Sequence, residues 1–384
     1  MRVGLLVAVL LLASCSLHET VQPSDIAPRT ADAALRAYYN QLDIELPKAP
    51  AGPALPAANT VLQRIGFGSC QTSAAPIPIL DQITAENADL FIYLGDNVYG
   101  SGRPGNATLP NLREQYANLA ALPEFQRLRQ QTPMMAIWDD HDYGMGDGGG
   151  DFAFKHMAEK IFLEFWNEPK TSIRRKRDGL YDAKVFGVKG NQVQIIMLDT
   201  RFFRSSPLIP SDEPFAKGKE RYLPSFDPNM TMLGGEQWRW FAEQLQQPAD
   251  IRLVVTSLQV LPEDHGWEAW HNLELQRQKF FQTLQTSQAK GIIILSGERH
   301  LSAFYKKEGI ADYPIYEFTA SSLNRKFADK TDEYDTLQLA PAYTPHNYGM
   351  IEIDWEGRNL SLQVKGENGK TQRELQLSFS DIGL

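Results

Sequence analysis

The chain has 384 residues, 42% of them hydrophobic, and a formal net charge of −9. That is enough apolar material for a large core. The acidic balance, with no long basic run, excludes a protein built to neutralise a nucleic-acid backbone. The one short basic cluster, Arg174, Arg175, Lys176 and Arg177, reads as a solvated loop.

At the N-terminus, Met1 and Arg2 precede an apolar run from Val3 to Ala13. This fits a signal peptide and is too short to span a bilayer. Leu12-Ala13-Ser14-Cys15 resembles a bacterial lipobox, in which Cys15 is acylated and becomes the new N-terminus. An ordinary signal peptide cut nearby is the plainer alternative. The expected organisation is a lipoprotein signal peptide over 1–15, a Pro/Ala-rich tether over 16–60 with a short helix near Ala31–Asn40, and one folded body over 61–384. Pro47, Pro50, Pro53 and Pro56 argue against a regular element in the tether. With Cys15 lipidated, Cys70 has no partner for a disulfide, so it is either a buried core thiol or a ligand.

From Arg64 onward apolar runs alternate with amphipathic stretches. The pattern predicts strands over Ile65–Gly68, Leu90–Leu94, Met134–Trp138, Val193–Leu198, Leu253–Thr256 and Ile292–Leu295, then over Ile315–Thr319, Gly349–Asp354, Leu360–Lys365 and Glu374–Phe379. It predicts helices near Pro78–Asn87, Leu112–Arg127, Phe152–Trp166, Gly235–Gln246 and Glu274–Ala289. This alternation implies a layered α/β fold. Glu367-Asn368-Gly369 reads as a hairpin turn between the last two strands.

The chemistry lies where strands end. Five ends carry Cys70; Asp96 and Tyr99; Asp139, Asp140 and His141; Asp199 and Arg201; and Glu298 and His300. In open α/β sheets ligands bind beyond the carboxyl ends of strands. One acidic end is usually a cap or turn, whereas five together suggest a convergent metal site. Carboxylates suit hard cations and imidazole suits zinc or iron, while a thiolate beside a phenolate makes ferric iron plausible. Arg201 could fork onto a phosphate or pair with Asp199 or another carboxylate. Gly144-Met145-Gly146-Asp147-Gly148-Gly149 matches a dinucleotide pattern only formally and reads as a flexible loop entering a helix at Phe152. His265 and His346 lie in expected loops and could line a pocket, as could Trp267 and Trp270. His156 reads as structural.

Taken together, the segments GFGSCQ (66–71), YLGDNVYG (93–100), WDDHDYG (138–144), LDTRFFR (198–204) and SGERHLS (296–302) resemble the PhoD-like alkaline phosphatase and phosphodiesterase family. The resemblance implies a calcineurin-like metallophosphoesterase sandwich of two mixed β-sheets flanked by helices. It also implies iron and calcium as cofactors, with other divalent metals open, and hydrolysis of phosphate mono- or diesters through a metal-activated hydroxide. Position by position, Cys70, Asp96 and Tyr99 match the iron-side ligands, with Asp96 bridging, and His300 matches another ligand. Asp139, Asp140 and His141 match the central acidic motif, and His141 is expected to act on the phosphate or leaving group. Two positions depart. Gly146 stands where the family usually has Asn, with Asp147 adjacent as a stand-in. Glu298 stands where it usually has Asp.

The leading expectation is an exported phosphoesterase, lipid-anchored on the periplasmic side of a bacterial membrane. It would be a monomer acting on a small phosphate ester or a phospholipid-type substrate, with no nucleic-acid partner. The rivals are a catalytically weakened relative that binds phosphorylated or lipid ligands without efficient turnover, and a structural lipoprotein that kept only the fold.

Overall fold

The structure is a computed structural model that describes residues 31–102, 105–210, 221–326 and 334–384. The expected signal peptide, Cys15 and the tether up to residue 30 lie outside the described residues. The described residues fall in two compact units, divided between Leu42 and Asp43. Within the first lies helix α1 (Ala31–Gln41), on the segment expected to be helical.

The second unit begins with β1 (Arg64–Gly68), α2 (Ile79–Ala85), β2 (Leu90–Leu94), α3 (Pro110–Ala121), α4 (Pro123–Gln131), β3 (Met134–Ile137), α5 (Asp140–Tyr143) and α6 (Lys155–Phe165). There follow β4 (Asp182–Val188), β5 (Asn191–Met197), the short pair β6 (Ile209–Pro210) and β7 (Tyr222–Leu223), α7 (Gly234–Leu245), β8 (Ile251–Val255), α8 (Glu274–Ser287) and β9 (Ile292–Ser296). The chain closes with β10 (Ser302–Lys307), β11 (Ile315–Ala320), β12 (Asn347–Asp354), β13 (Asn359–Gly366) and β14 (Thr371–Ser378).

These strands build two six-stranded mixed sheets, in the orders β14-β13-β12-β1-β2-β3 and β10-β11-β9-β8-β5-β4. In the first, β1, β2 and β3 run parallel. In the second, β5, β8, β9 and β11 run parallel. Central strands such as β2 are buried along their whole length because both faces are covered. The inner faces meet at Phe67 of β1 and Phe318 of β11, whose ring centroids are 4.8 Å apart. On the outer face of the second sheet, Trp238, Phe241 and Leu245 of α7 and Phe280 and Leu284 of α8 cover Ile196, Val254, Ile292 and Ile294. On the first sheet, Tyr93 packs on Phe125 and Trp166. This is the expected sandwich of two mixed sheets flanked by helices.

Several local expectations change. The single helix expected over Leu112–Arg127 is two, because Leu122 precedes Pro123 and takes an extended conformation that starts a new helix. Strands β4 and β10 were not anticipated. Both are sheet edges, where mixed polar sequence replaces an apolar run. Residues 43–60 belong to the compact body rather than to a free tether. Their prolines exclude helix and strand but not docking: Ala49 N–H donates to the Phe165 carbonyl at 2.8 Å, and Asn167 donates back to the Ala49 carbonyl at 3.0 Å. The Arg174–Arg177 cluster is not a solvated loop. Arg174 is buried and donates to the Ala136 carbonyl and Glu168, and Arg177 stacks on Tyr181. The glycine loop is pinned rather than flexible. Tyr143 donates to the Gly149 carbonyl, and Gly150 N–H to that of Arg204.

One acid is buried within the second sheet. Glu317 of β11 accepts from the Val260 and Leu261 amides and from the Ser296 hydroxyl. Burial outweighs those donors and pushes its pKa up to about 7. Glu317 therefore holds its proton more tightly folded than unfolded. The stability this contributes is complete below the unfolded value of about 4.3 and is lost as pH rises through about 7. Glu317→Gln, an isostere of the neutral acid, should match the wild type in urea unfolding at pH 4. At pH 8 it should be the more stable, by an amount on the order of 1–3 kcal/mol. A gap that stays constant from pH 4 to pH 8 would contradict this reading.

Candidate metal centre

The candidate ligands follow strand ends directly. Cys70 comes after β1, Asp96 after β2, Asp139 after β3, and Glu298 and His300 after β9. Cys70, Asp96, Glu298 and His300 all have positive φ, at 60°, 50°, 65° and 54°. A left-handed backbone disfavours a side chain by roughly 1–2 kcal/mol per residue, so strain falls on four of the candidate ligands. These turns bend the chain out of the sheet as each strand stops. Gly95 (φ 109°) is required by the crowding: a Cβ there would lie 2.6 Å from the Asp139 Cβ and 2.8 Å from its amide nitrogen. Asp139 itself caps α5 reciprocally with Asp142.

Three ligand groups result, each with its ligand atoms within 4.8 Å of one another: Cys70, Asp96 and His300; Asp96, Asp140 and His141; and Asp96, Asp139 and Glu298. Asp96 is common to all three. The Cys70 thiol lies 3.7 Å from Asp96 Oδ2. Tyr99 stands beside the first group, its hydroxyl 2.8 Å from His300 Nε2 and its ring 4.0 Å from that of His141. His141 Nδ1 is bonded to the Ser101 hydroxyl, and the His141 amide donates to Asp96 Oδ1 at 3.2 Å.

The electrostatics are those of acids crowded out of water. Burial, then the neighbouring Asp140, Cys70, Asp139 and Asp142, holds Asp96 well above the usual carboxylate range. Glu298 is raised by burial and then by Asp96, Asp139 and Asp140. Burial raises Asp139 against the opposing pull of Arg201. Burial and then the Glu298 charge push the Cys70 thiol up to about 12. Burial, then Arg325 and Arg299, holds His300 down to about 3.

Three buried carboxylate oxygens, Asp139 Oδ2, Asp140 Oδ1 and Glu298 Oε2, have no hydrogen-bond partner. Buried acceptors are seldom left in that state. A cation among them would satisfy these oxygens, keep the carboxyls and thiol ionised, and suit a neutral imidazole. The donor set therefore fits a metal, and it is chemically uneven. Around Asp96, Cys70 and His300 offer sulfur and nitrogen, Asp140 and His141 offer oxygen and nitrogen, and Asp139 and Glu298 offer only carboxylate oxygen.

Arg201 is fully buried and all three of its guanidinium nitrogens are engaged. Nε donates to Asp139 Oδ1, and the other two grip Glu268 at 2.8 and 2.6 Å. This is the carboxylate-pairing alternative, with Glu268 and Asp139 as partners. Asp199 instead accepts the Arg201 and Phe202 amides at 2.9 Å each. Arg204 also binds Glu268. The two cations outweigh burial and draw the Glu268 carboxyl down to about 2. With Ser257 donating to Asp139 Oδ1 at 2.8 Å as well, Oδ2 alone is left for the centre.

Asp147 does not stand in for the missing Asn side chain. Its carboxylate is taken by Arg221, at 2.6 Å, and by Tyr222, while its amide donates to Asp140 Oδ2 at 2.7 Å. Glu298, despite its extra methylene, keeps an oxygen with Asp96 and Asp139. His265 is buried and satisfied by Gln259 and the Trp267 amide. His346 faces Glu367 instead of joining these groups. His156 packs against Phe202, and Trp270 is buried and bonded to Thr256.

Sequence reasoning missed Ser101, Ser257, Glu268, Arg204 and Ser321. Ser321 donates to the Cys70 thiol at 3.0 Å and accepts the His300 amide at 2.8 Å. It follows β11, a sixth strand end whose small hydroxyls carry no ligand signature. Glu268 sits in a Trp-rich loop, and only its three-dimensional partners distinguish it.

Residues 65–363 match the family described as PhoD-like phosphatase. Among solved structures, PhoD is similar with a TM-score of 0.65 at 18% identity, over 84% of this chain and 70% of that one. GAP50, described as the anchor in the inner membrane complex of Plasmodium, gives 0.53 at 11% identity, over 83% and 89%. At such identities the structural likeness establishes the fold alone. No curated protein matches the sequence. The family match takes in every strand end from Cys70 to His300, and the chain belongs to the PhoD-like phosphatases, a family of metal-dependent phosphoesterases.

Proposed function

We propose that this chain hydrolyses phosphate esters at a metal centre built around Asp96. The observation that carries the reading is the set of three buried, unpartnered carboxylate oxygens gathered beside that residue. Cys70, Asp96 and His300, with Tyr99 alongside, would hold a metal for which ferric iron suits the sulfur, nitrogen and phenol donors. Asp96, Asp139 and Glu298, with Asp140 nearby, offer the all-oxygen environment that suits calcium. Bound there, such metals supply positive charge that polarises a phosphoryl oxygen and acidifies water.

The chain's own groups set the geometry. Arg201 and Ser257 fix Asp139 through Oδ1 and leave Oδ2 facing the centre. The Asp147 amide fixes Asp140 through Oδ2 and leaves Oδ1. His141 is partly exposed and anchored through Nδ1 to Ser101. Its Nε2, 3.9 Å from Asp140 Oδ1, is positioned to deliver a proton to the departing alcohol oxygen. Arg201 acts on substrate only through Asp139.

Purified protein should contain metal and hydrolyse p-nitrophenyl phosphate. Asp96→Asn should lose metal by elemental analysis and lower turnover at least about a hundredfold. Full metal content and activity in Asp96→Asn would defeat the proposal.

The reading of a weakened relative also has an observation behind it. Gly146 offers no side chain and the Asp147 carboxylate is committed elsewhere. A Cβ at Gly146 would meet only Asp140 Oδ2, at 3.7 Å, an ordinary van der Waals contact. Gly146→Asn combined with Glu298→Asp should therefore raise calcium affinity and ester hydrolysis together, by about tenfold or more in rate. Unchanged or lower turnover would mean that the site already holds its full complement.

We also propose export and lipid anchoring through Cys15, supported by the apolar run before it and the Leu12–Cys15 motif. Among the described residues no helix is long and apolar enough to cross a membrane. Cys15→Ala should abolish incorporation of labelled fatty acid and leave the protein soluble or unprocessed. A wild type that never takes up label has no such anchor.

A further inference from the structure

Several cations around the centre are committed inside the protein. Arg201 and Arg204 share Glu268, and Arg299 is buried with its guanidinium over the Trp267 ring. Arg325 differs from them. It is exposed, it lies five residues beyond β11, and its Cζ sits 4.5 Å from the Tyr99 ring centroid. Its amide donates to the Cys70 carbonyl at 3.2 Å, which ties this stretch of chain to the strand end bearing the thiol. Tyr99 in turn reaches His300 through its hydroxyl and lies against His141 through its ring. The Arg325 charge is felt by both Tyr99 and His300. Among the described residues no carboxylate is paired with it. A solvent-facing guanidinium thus stands over the aromatic residue that links the two histidines of the site.

Counting oxygens gives this placement a consequence. A phosphomonoester has three non-bridging oxygens and a diester has two. With two turned toward the Asp96 centre, only the monoester keeps a charged oxygen facing outward. A guanidinium fork is well suited to hold such an oxygen. We propose that Arg325 grips this remaining oxygen and so biases the site toward phosphomonoesters over diesters, an inference that rests on the phosphoesterase reading above. Arg325 is thereby a specificity-determining residue, and its exposure lets it meet the substrate as it enters.

The test uses the metal-saturated protein with Arg325→Gln and Arg325→Lys. Kinetics on p-nitrophenyl phosphate and bis-p-nitrophenyl phosphate are compared, and orthophosphate binding is measured by calorimetry. Arg325→Gln should raise KM for the monoester by about 10- to 100-fold and weaken orthophosphate by a similar factor. The diester kcat/KM should change by less than about threefold, and Arg325→Lys should recover part of the monoester affinity. Equal losses on both esters, or unaltered orthophosphate affinity, would overturn the proposal. If the wild type hydrolyses neither ester, the phosphoesterase reading fails. Orthophosphate binding to wild type and Arg325→Gln then still decides whether Arg325 holds a phosphate.

Discussion

Mutual repulsion among buried carboxylates around Asp96 is the constraint on which the rest of this structure turns. Asp96, Asp139, Asp140 and Glu298 are brought close enough to share ligand positions, and burial raises three of them. Left alone, such a cluster would protonate or push apart. It is held in place by a rigid backbone: two sheets end at the same place, and four ligand residues take left-handed conformations there. Strain of this kind persists only where surrounding packing over-determines it. At Gly95 a Cβ would lie 2.6 Å from that of Asp139, which shows how closely these two strand ends pack.

The second device is the buried ion cluster of Arg201, Glu268 and Arg204. It joins the end of β5 to the loop that carries Glu268 and, through the Gly148 carbonyl, to the glycine loop. A buried ion pair is weak evidence for stability, since desolvation offsets much of the attraction. Its clearer effect here is orientation: it holds one oxygen of Asp139 and leaves the other to the centre. Arg201, which by sequence could fork onto a phosphate or pair with a carboxylate, is part of the frame, and an exposed arginine outside the sequence motifs, Arg325, stands over Tyr99.

The fold alone does not separate catalysis from binding. The same sandwich is shared with PhoD and, less closely, with a protein described as a membrane-complex anchor, and folds host unrelated functions. What favours chemistry is the site, where strained ligands and unpartnered oxygens would have no use in a scaffold. What tempers it is Gly146, where a Cβ has room but no side chain is present. The carboxylate of Asp147 is drawn off to Arg221 and Tyr222 and does not compensate.

Much of the sandwich and of the candidate site was legible in the sequence. Buried parallel strands are largely apolar, so β1, β2, β8, β9 and β11 announce themselves. Their ends are abrupt because a glycine or a small hydroxyl residue follows: Ser69, Gly95, Thr256, Gly297 and Ser321. Edge strands β4 and β10 were hidden, since edges tolerate charge, and the break at Pro123 turned on the conformation of one preceding residue. The choice of partners was decided only by the tertiary structure. Whether Arg201 meets phosphate or Glu268, whether Asp147 reaches the centre or Arg221, and that Ser321 and Arg325 lie beside Cys70 and Tyr99 all depend on contacts between segments tens to hundreds of residues apart. A local sequence determines its own backbone preferences and burial pattern. It carries no record of which distant group will arrive opposite it when the two sheets close.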